Sequence, residues 1–276
     1  MAGYIKYTFL IFFFVSHQLL AEEKKIIAFK GDQIAGALLI GFAPNNFGVQ
    51  ISNKPVRVSS NGTFLVGLGR DYSGPLLITL INPNGIVTNH TLVIKERQYG
   101  IQRIDGLPTI QVTPDPENLE RIAAEFELIN EVRRLDNPTA YFEAGFQWPV
   151  EGIVSGDFGS QRILNGIPKR PHNGLDIAAP EGSDIVAMAG GKVALVHHDM
   201  FYTGMTVMID HGHGLTSIYA HMSDIAVHKD QVIKKGAVIG KVGKTGRATG
   251  YHLHWGITLF GTHLDPALLR EFTRPE

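Results

Sequence analysis

Short apolar stretches alternate with turn-forming residues over the first hundred positions of the chain. The apolar stretches are 37–42 (ALLIGF), 63–68 (TFLVGL), 76–81 (LLITLI) and 91–94 (TLVI). Turn signals such as Asn61-Gly62 separate them, and a glycine in this context readily adopts the positive φ of a tight hairpin. Regularly spaced short strands of this kind predict a small β-sandwich over residues 22–112.

A helical pattern follows. Asp115 can cap a helix, and Pro116 suits its first position. Apolar residues then recur at spacings of three and four within residues 115–136, namely Leu119, Ile122, Phe126, Ile129 and Val132. Asn137-Pro138 ends the pattern. We therefore predict an amphipathic helix inside a helical linker of residues 113–140.

Strands and glycines return after residue 140. The segments 190–196 (GGKVALV), 204–210 (GMTVMID) and 236–243 (GAVIGKVG) combine β-branched residues with glycines that mark tight turns. No stretch in this half has the length and period of a long helix. The pattern predicts a compact antiparallel β domain over residues 141–276, and the chain as a whole is predicted to be mainly β.

The first 21 residues follow a different pattern. Lys6 is the only charged residue before Glu22, and an apolar run at 9–15 precedes Leu19-Leu20-Ala21. This is the layout of a secretory signal peptide cleaved after Ala21. The run is shorter than the roughly 20 apolar residues that a membrane span needs. We expect an exported protein, periplasmic or secreted, with no membrane span after cleavage.

Composition narrows the chemistry further. The formal net charge of −1 provides no broad basic field, so nucleic acid is not a predicted partner. The sequence contains no cysteine, which excludes thiolate metal ligands, a cysteine nucleophile and disulfides. Export without disulfides is compatible with a bacterial envelope protein.

Histidines are concentrated in the second half of the chain. His172 and Asp176 are four residues apart, and the prolines and glycine around them disfavour a helix. In a straight strand four residues span about 13 Å, too far for two side chains to share one metal ion with bonds of about 2 Å. We therefore predict that the chain bends at Gly174 and brings a loop histidine toward an aspartate at the start of a strand.

A second motif is His252-Leu253-His254. On a strand, residues i and i+2 share a face about 6.6 Å apart, so one imidazole can bind a metal while the other reaches its water or the substrate. The spacing alone does not decide which histidine does which. His221 ends a third apolar strand, and the other histidines are interpreted as structural or solvent-facing. A catalytic zinc site typically has three protein ligands and a fourth position open to water. Two imidazoles and one carboxylate could supply these ligands, with further imidazoles nearby.

In combination these motifs resemble peptidase family M23, the lysostaphin and LytM-type peptidoglycan metalloendopeptidases. The resemblance covers residues 145–268. The family's H-x-G-x-D, H-x-H and Y-A-H patterns are matched by His172, Gly174, Asp176, His252, His254 and His221. The arrangement of a β module ahead of this region is similar to Gram-negative envelope members of the family.

The resemblance implies a zinc-dependent endopeptidase that hydrolyses peptide cross-links of peptidoglycan. One Zn²⁺ would be held by His172, Asp176 and His254, and His221 and His252 would be the catalytic histidines. The implied architecture is an N-terminal β-sandwich, a linking helix and a C-terminal antiparallel β metallopeptidase domain. The expected target in a Gram-negative envelope is the D-alanine to meso-diaminopimelate cross-link, whereas Gram-positive relatives cut glycine bridges.

Three further hypotheses follow. Some family members have lost their ligands and activate other wall hydrolases, although the complete set of five residues argues against that role here. Residues 232–243 (VIKKGAVIGKVG) resemble a lipoyl- or biotin-carrier hairpin, but no exposed lysine in the carrier motif accompanies them. The N-terminal module, through the long helix or the segment 101–112, is a candidate for an intramolecular contact that covers the cleft and keeps the enzyme latent.

Overall fold

The computed structural model describes residues 27–272, so the predicted signal peptide of residues 1–21 lies outside the described residues. The described chain is mainly β, as predicted. Between residues 27 and 272, none of the helices has both the length and the apolar character needed to cross a membrane.

The N-terminal part consists of two antiparallel sheets. Its strands are β1 (Ala28–Lys30), β2 (Leu38–Phe42), β3 (Gly48–Ile51), β4 (Lys54–Val56), β5 (Thr63–Gly67), β6 (Pro75–Ile81) and β7 (Val87–Val93). The strand orders are β1-β2-β5 and β4-β3-β6-β7. Both sheets contribute to one buried cluster, in which Leu39, Phe64 and Ile78 are fully enclosed. Two sheets that share an apolar core form the predicted sandwich.

The connection to the C-terminal part contains β8 (Ile101–Ile104), a short helix α1 (Thr109–Val112) and a long helix α2 (Pro116–Arg133). The predicted start of the long helix is confirmed, because the Asp115 carboxylate accepts a hydrogen bond of 2.9 Å from the Asn118 amide. The helix ends at Arg133, earlier than the pattern indicated. The backbone N–H of Arg134 closes it by bonding to carbonyls of the last turn.

The buried face of α2 is narrower than the sequence pattern suggests. Ile129 and Val132 pack in a buried cluster with Met208, Leu195, Met200 and Ile218 of the C-terminal part. Leu119 and Phe126, which were predicted on the buried face, are 53% and 45% exposed. A buried carboxylate takes part in the contact instead, since Glu125 accepts hydrogen bonds from the Phe201 amide and the Arg121 guanidinium. Apolar periodicity could not reveal this polar contact.

The C-terminal part is built around one large antiparallel sheet. It contains a 3₁₀ helix (Tyr141–Ala144), β9 (Ile153–Gly156), β10 (Gln161–Leu164), β11 (Ile167–Pro168), β12 (Leu175–Ala178), β13 (Asp184–Val186), β14 (Gly191–Met200), β15 (Gly204–Gly212), β16 (Leu215–Ile225), β17 (Val232–Ile233), β18 (Val238–Val242), β19 (His252–Leu259), β20 (Thr262–Leu264) and a second 3₁₀ helix (Pro266–Phe272). The sheet runs β17-β14-β15-β16-β19-β12-β9, and β13, β18 and β20 attach at its sides.

One face of this sheet forms the core. Leu175, Trp255 and Tyr219 are cross-strand neighbours on β12, β19 and β16, and all three are essentially inaccessible to solvent. The buried Tyr219 hydroxyl accepts a hydrogen bond of 2.9 Å from the Met188 amide. Because side chains alternate along a strand, the residues next to these three face the other way. Packing of the core therefore determines which side chains lie on the opposite face of these three strands.

A small third sheet joins the two parts of the chain. Its order is β11-β10-β8, and β8 pairs with β10 in parallel so that Gln102 lies opposite Arg162. Leu107, Val112 and Leu164 form a small buried cluster beside it, with Ile104 packed against them. This pairing was not predicted, because four-residue strands about 60 positions apart leave no mark in local periodicity.

His211 on β15 is a buried structural histidine. Its Nδ1 donates to the Gly190 carbonyl at 2.6 Å, and its Nε2 accepts from the Ser217 hydroxyl at 2.7 Å. Burial lowers the pKa of His211 to about 4. The ring is therefore neutral in the folded protein near pH 7.

This environment predicts a pH-dependent contribution to stability. A histidine in the unfolded chain has a pKa of about 6.5. Between that value and about 4 the unfolded chain binds a proton that the folded chain does not, so stability falls as the pH decreases. Between pH 7 and pH 4 the free energy of unfolding should therefore fall by up to about 3 kcal/mol more in the wild type than in His211→Gln.

Urea unfolding at the two pH values measures this difference. His198→Gln is the control, because His198 is exposed on the neighbouring strand. An equal loss of stability in the wild type and in His211→Gln would contradict the assignment.

Candidate metal centre and cleft

The pairing of β12 with β19 brings a carboxylate and an imidazole together. Asp176 and His254 are directly opposite one another in the register of these strands. Cβ atoms of such pairs lie about 5 Å apart, within reach of short polar side chains. The Asp176 Oδ1 atom is 2.8 Å from His254 Nδ1. Their neighbours Ile177 and Leu253 are fully buried in the core, so alternation holds the pair on the opposite face.

His172 joins this pair from the loop before β12. Its Nε2 atom lies 3.0 Å from Asp176 Oδ1 and 3.1 Å from His254 Nδ1. Its Nδ1 atom is 3.1 Å from the Asp157 carbonyl oxygen, which can only accept a hydrogen bond. Nδ1 therefore holds the proton, and Nε2 directs its lone pair toward the other two groups. The chain thus bends between His172 and Asp176, as predicted.

The role of Gly174 in this bend differs from the prediction. Its φ lies outside the left-handed range, so conformational freedom is not the reason for a glycine. Space is the reason. A Cβ atom at this position would lie 2.6 Å from the Trp255 carbonyl oxygen and 2.7 Å from Cε1 of His254. A side chain here would push the His254 ring out of position.

The three groups have the dimensions of a metal site. Their donor atoms are 2.8, 3.0 and 3.1 Å apart. A tetrahedral zinc ion with bonds of about 2.1 Å holds neighbouring ligand atoms about 3.4 Å apart, so small adjustments would accommodate it. No other histidine or acidic residue in the described part of the chain joins this group. Two imidazoles and one carboxylate are a donor set that zinc favours in catalytic sites.

The protonation states also suit metal binding. Burial by itself would raise the pKa of Asp176, but its close contacts with the His172 and His254 rings outweigh it and hold the pKa well below its usual value. Burial lowers the pKa of His254 to about 4. At pH 7 the carboxylate is charged and the His254 ring is neutral, as metal ligands must be.

Arg162 holds the second oxygen of Asp176. Its Nη2 atom donates to Asp176 Oδ2 at 2.5 Å, and its Nε atom donates to the Gln102 side-chain oxygen at 3.1 Å. Gly156 leaves room for this carboxylate, because a Cβ atom there would lie 2.5 Å from Oδ2. Oδ1 alone is therefore directed toward the histidines. Arg162 was not among the predicted site residues, because nothing in its spacing links it to the motif.

His221 follows directly after Ala220, which lies opposite His254 in the register of β16 and β19. The prediction that the strand ends here is wrong, because β16 continues to Ile225. The backbone instead bends at His221, whose φ is 63°. Its Nδ1 donates to the Thr245 carbonyl at 2.8 Å, and burial lowers its pKa to about 3. The ring is neutral at pH 7 and its Nε2 holds a lone pair.

His252 stands beside His221. Their ring centroids are 4.7 Å apart, and the His221 and His254 centroids are 6.1 Å apart. The Nδ1 atom of His252 donates to the Gly250 carbonyl at 2.8 Å. Two imidazoles that are outside the group of three thus lie next to it, and for His252 this position agrees with the i, i+2 spacing.

A cleft of about 250 Å³ opens beside these residues. Asp176, His221 and His252 line it, together with the guanidinium groups of Arg162 and Arg247. Residues 101–112, which we term the strap, form another part of its wall through Gln102, Ile104 and Leu107.

The strap is hydrogen-bonded to β9 and to loops around the cleft. Gln102 donates to the Ser155 carbonyl at 3.2 Å, and the Gln111 carbonyl accepts from Arg247 at 3.2 Å. Asn165 exchanges two hydrogen bonds with the backbone of Leu107. The strap therefore lies along the cleft and contacts residues on more than one side of it.

Known proteins with similar sequences share this region. The sequence model of Peptidase family M23 matches residues 170–266. The peptidoglycan DD-endopeptidase ShyA of Vibrio cholerae is 38% identical over 119 residues, which are 42% of this chain and 27% of that protein. The murein hydrolase activator NlpD of Salmonella dublin is 31% identical over 123 residues, 45% of this chain and 30% of that protein. The chain thus spans less than a third of the length of these curated relatives.

A solved structure matches over almost the whole chain. It is a crystal structure from Pseudomonas aeruginosa of a protein assigned to the M23 peptidases. It is 30% identical, with a TM-score of 0.65, and the match covers 86% of this chain and 95% of that one. The likeness extends beyond the metal centre to the N-terminal sheets. This chain belongs to peptidase family M23.

Proposed function

We propose that this protein is a zinc-dependent endopeptidase that hydrolyses peptide cross-links of bacterial peptidoglycan in the periplasm or outside the cell. The observation that supports it best is the meeting of His172, Asp176 and His254, with two further histidines beside them at a cleft. The DD-endopeptidase activity named for a similar protein supports the same substrate. The division of the chain at residues 112 and 141, and the signal peptide, remain predictions.

In this proposal a zinc ion would be held by His172 Nε2, Asp176 Oδ1 and His254 Nδ1. Its chemistry is Lewis acidity toward water and toward the carbonyl of the scissile bond. Arg162 positions the carboxylate through Oδ2, and the Asp157 carbonyl fixes the His172 tautomer. Such contacts behind the ligands orient them and typically affect metal affinity by about 10–100-fold.

The flanking histidines move the protons. His221 is neutral at pH 7 and offers Nε2 as the acceptor for the proton of the attacking water. It can then return that proton to the leaving amine. His252 is more exposed than His221 and lines the same cleft, where its Nε2 lone pair can accept a hydrogen bond from the attacking water and orient it.

The alternative is a protein that activates another wall hydrolase, a role named for one of the similar proteins. The complete set of three ligands and two adjacent histidines favours hydrolysis, because an activator needs no such set. The experiments below separate the two functions.

Gly174→Ala tests the metal site. We expect its zinc affinity to fall about 10–100-fold, because the added methyl group displaces His254. Competition with a chromophoric chelator measures this affinity. Gly100→Ala is the matched control, since a Cβ atom at Gly100 meets nothing within 4 Å. Equal zinc affinity in the two variants would contradict the proposed ligand geometry.

Digestion of isolated peptidoglycan tests the reaction. The zinc-loaded wild type is expected to release cross-link cleavage products that chromatography and mass spectrometry identify, and a chelator should abolish them. His254→Ala should lose both zinc and activity. His221→Asn should keep its zinc but lose about 10²–10⁴-fold in kcat, the usual contribution of acid–base catalysis.

An activator would behave differently in the same assay. The zinc-loaded wild type would release no product on its own but would accelerate digestion by a second wall hydrolase. That result would overturn the proposed enzymatic function.

We further propose that the strap restricts access to the cleft. Its hydrogen bonds to β9 and to the loop that contains Arg247 support this role, as does its share of the cleft wall. Leu107 anchors it, since its side chain is 8% exposed and packs with Val112 and Leu164.

Leu107→Asp tests this restriction. A charge in the buried cluster should loosen the strap and raise hydrolysis of peptidoglycan several-fold. Asp105→Asn, an exposed change in the same segment, should leave the rate unaltered. If Leu107→Asp loses activity in proportion to thermal stability, the strap supports the site structurally and does not restrict it.

A further inference from the structure

The cleft is cationic beyond what the metal centre needs. Arg162 and Arg247 both line it, and Asp176 is the only acidic residue among its lining side chains. In the proposed enzyme the Asp176 charge is engaged by the metal ion. Arg162 keeps its ion pair with Asp176 Oδ2, so Arg247 is the guanidinium among the lining residues that is left without a matching acid.

Arg247 is held firmly in place at this wall. Its guanidinium lies over the Tyr202 ring, 4.1 Å from the centroid, and its backbone N–H donates to the Tyr202 carbonyl at 2.9 Å. Gly246 permits this approach, because its φ is +69° and a Cβ atom there would lie 2.4 Å from the Gly204 amide nitrogen. The stacked ring leaves the guanidinium little freedom to turn.

The charge of Arg247 lacks an anionic partner. Its side chain donates a hydrogen bond to the Gln111 carbonyl, and no carboxylate of residues 27–272 forms an ion pair with it. Burial lowers the pKa of Arg247, and the nearby charge of Arg162 lowers it further. A guanidinium has five N–H donors in a planar fork that matches a carboxylate, and a cation shielded from water is costly unless an anion joins it.

We propose that Arg247, assisted by Arg162, binds a carboxylate of the substrate beside the scissile bond. The enzyme would then select cross-link peptides that have a free carboxylate over neutral ones such as glycine bridges. This inference rests on the proposed peptidoglycan hydrolysis and specifies the chemistry of the substrate. Arg247 is thereby a specificity residue, whereas Arg162 also positions Asp176.

The strap already supplies oxygen atoms to both arginines. The Gln111 backbone carbonyl accepts from Arg247, and the Gln102 side-chain oxygen accepts from Arg162. Both acceptors are neutral. Hydrogen bonds to a carboxylate are about twice as strong as those to neutral acceptors, so an acidic peptide can replace these contacts.

The test compares two synthetic cross-linked peptides that differ only in one group, a free carboxylate or its carboxamide, next to the scissile bond. The zinc-loaded wild type should show a KM at least about 10-fold lower for the carboxylate peptide. Arg247→Met keeps the apolar stem over Tyr202, and it should raise the KM for the carboxylate peptide about 10-fold while leaving the carboxamide peptide unchanged. Arg247→Lys should recover part of the preference.

Arg103→Gln is the matched control, because it removes one positive charge from an exposed position that does not line the cleft. It should leave both KM values unchanged. Equal effects of Arg247→Met on the two peptides, or no effect on either, would overturn the inference.

A binding measurement separates this inference from the proposed hydrolysis. If the zinc-loaded wild type cleaves neither peptide, calorimetric titration of the same pair decides. Tighter binding of the carboxylate peptide that is lost in Arg247→Met would support the arginine site while the proposed hydrolase function fails. Equal binding of both peptides would refute the arginine site as well.

Discussion

The register between β12 and β19 is the constraint on which the metal centre depends. A slip of β12 by one residue would turn Asp176 into the core and place Ile177 on the face that His254 occupies. The core opposes such a slip strongly, because Leu175, Trp255 and Tyr219 form a continuous buried row across three strands. Apolar packing on one face of the sheet thus determines the polar geometry on the other.

Backbone carbonyls complete the arrangement. The carbonyls of Asp157, Thr245 and Gly250 each accept a hydrogen bond from Nδ1 of a different histidine. Each bond selects one tautomer and leaves Nε2 free toward the site. A backbone carbonyl has no net charge and does not titrate. The three carbonyls therefore fix the proton positions of the histidines without adding charge to the cleft.

Much of the fold could be predicted from the sequence because it depends on local signals. The alternation of short strands and turns indicated a mainly β chain, and Asp115 with Pro116 placed the start of α2. The site motifs were predictable because their spacings have strict geometric consequences, such as the shared face of His252 and His254. Gly174 was correctly predicted to be part of the motif, but its flexibility is not the reason for it. A glycine is required because His254 approaches closely, and this tertiary contact is not visible in the local sequence.

The remainder depends on contacts between distant segments. Arg162 reaches Asp176 only after the loop before β12 folds back, and Arg247 becomes part of the cleft through Tyr202 and Gln111. Nothing in the neighbourhood of either arginine distinguishes it from a surface residue in the sequence. The exposure of Leu119 and Phe126 has the same origin, because the width of the helix contact is set by the sheet beneath it.

The parallel pairing of β8 with β10 has a consequence for dissecting the molecule. β8 belongs to the segment ahead of the long helix, yet it hydrogen-bonds the strand that holds Arg162. A fragment lacking that segment would leave β10 with an open edge of unpaired backbone groups and would uncover the side of Leu164 that faces Leu107. Open edges of this kind pair readily with other chains. By pairing with β10, the segment that contains β8 therefore prevents the strand that holds Arg162 from associating with other chains.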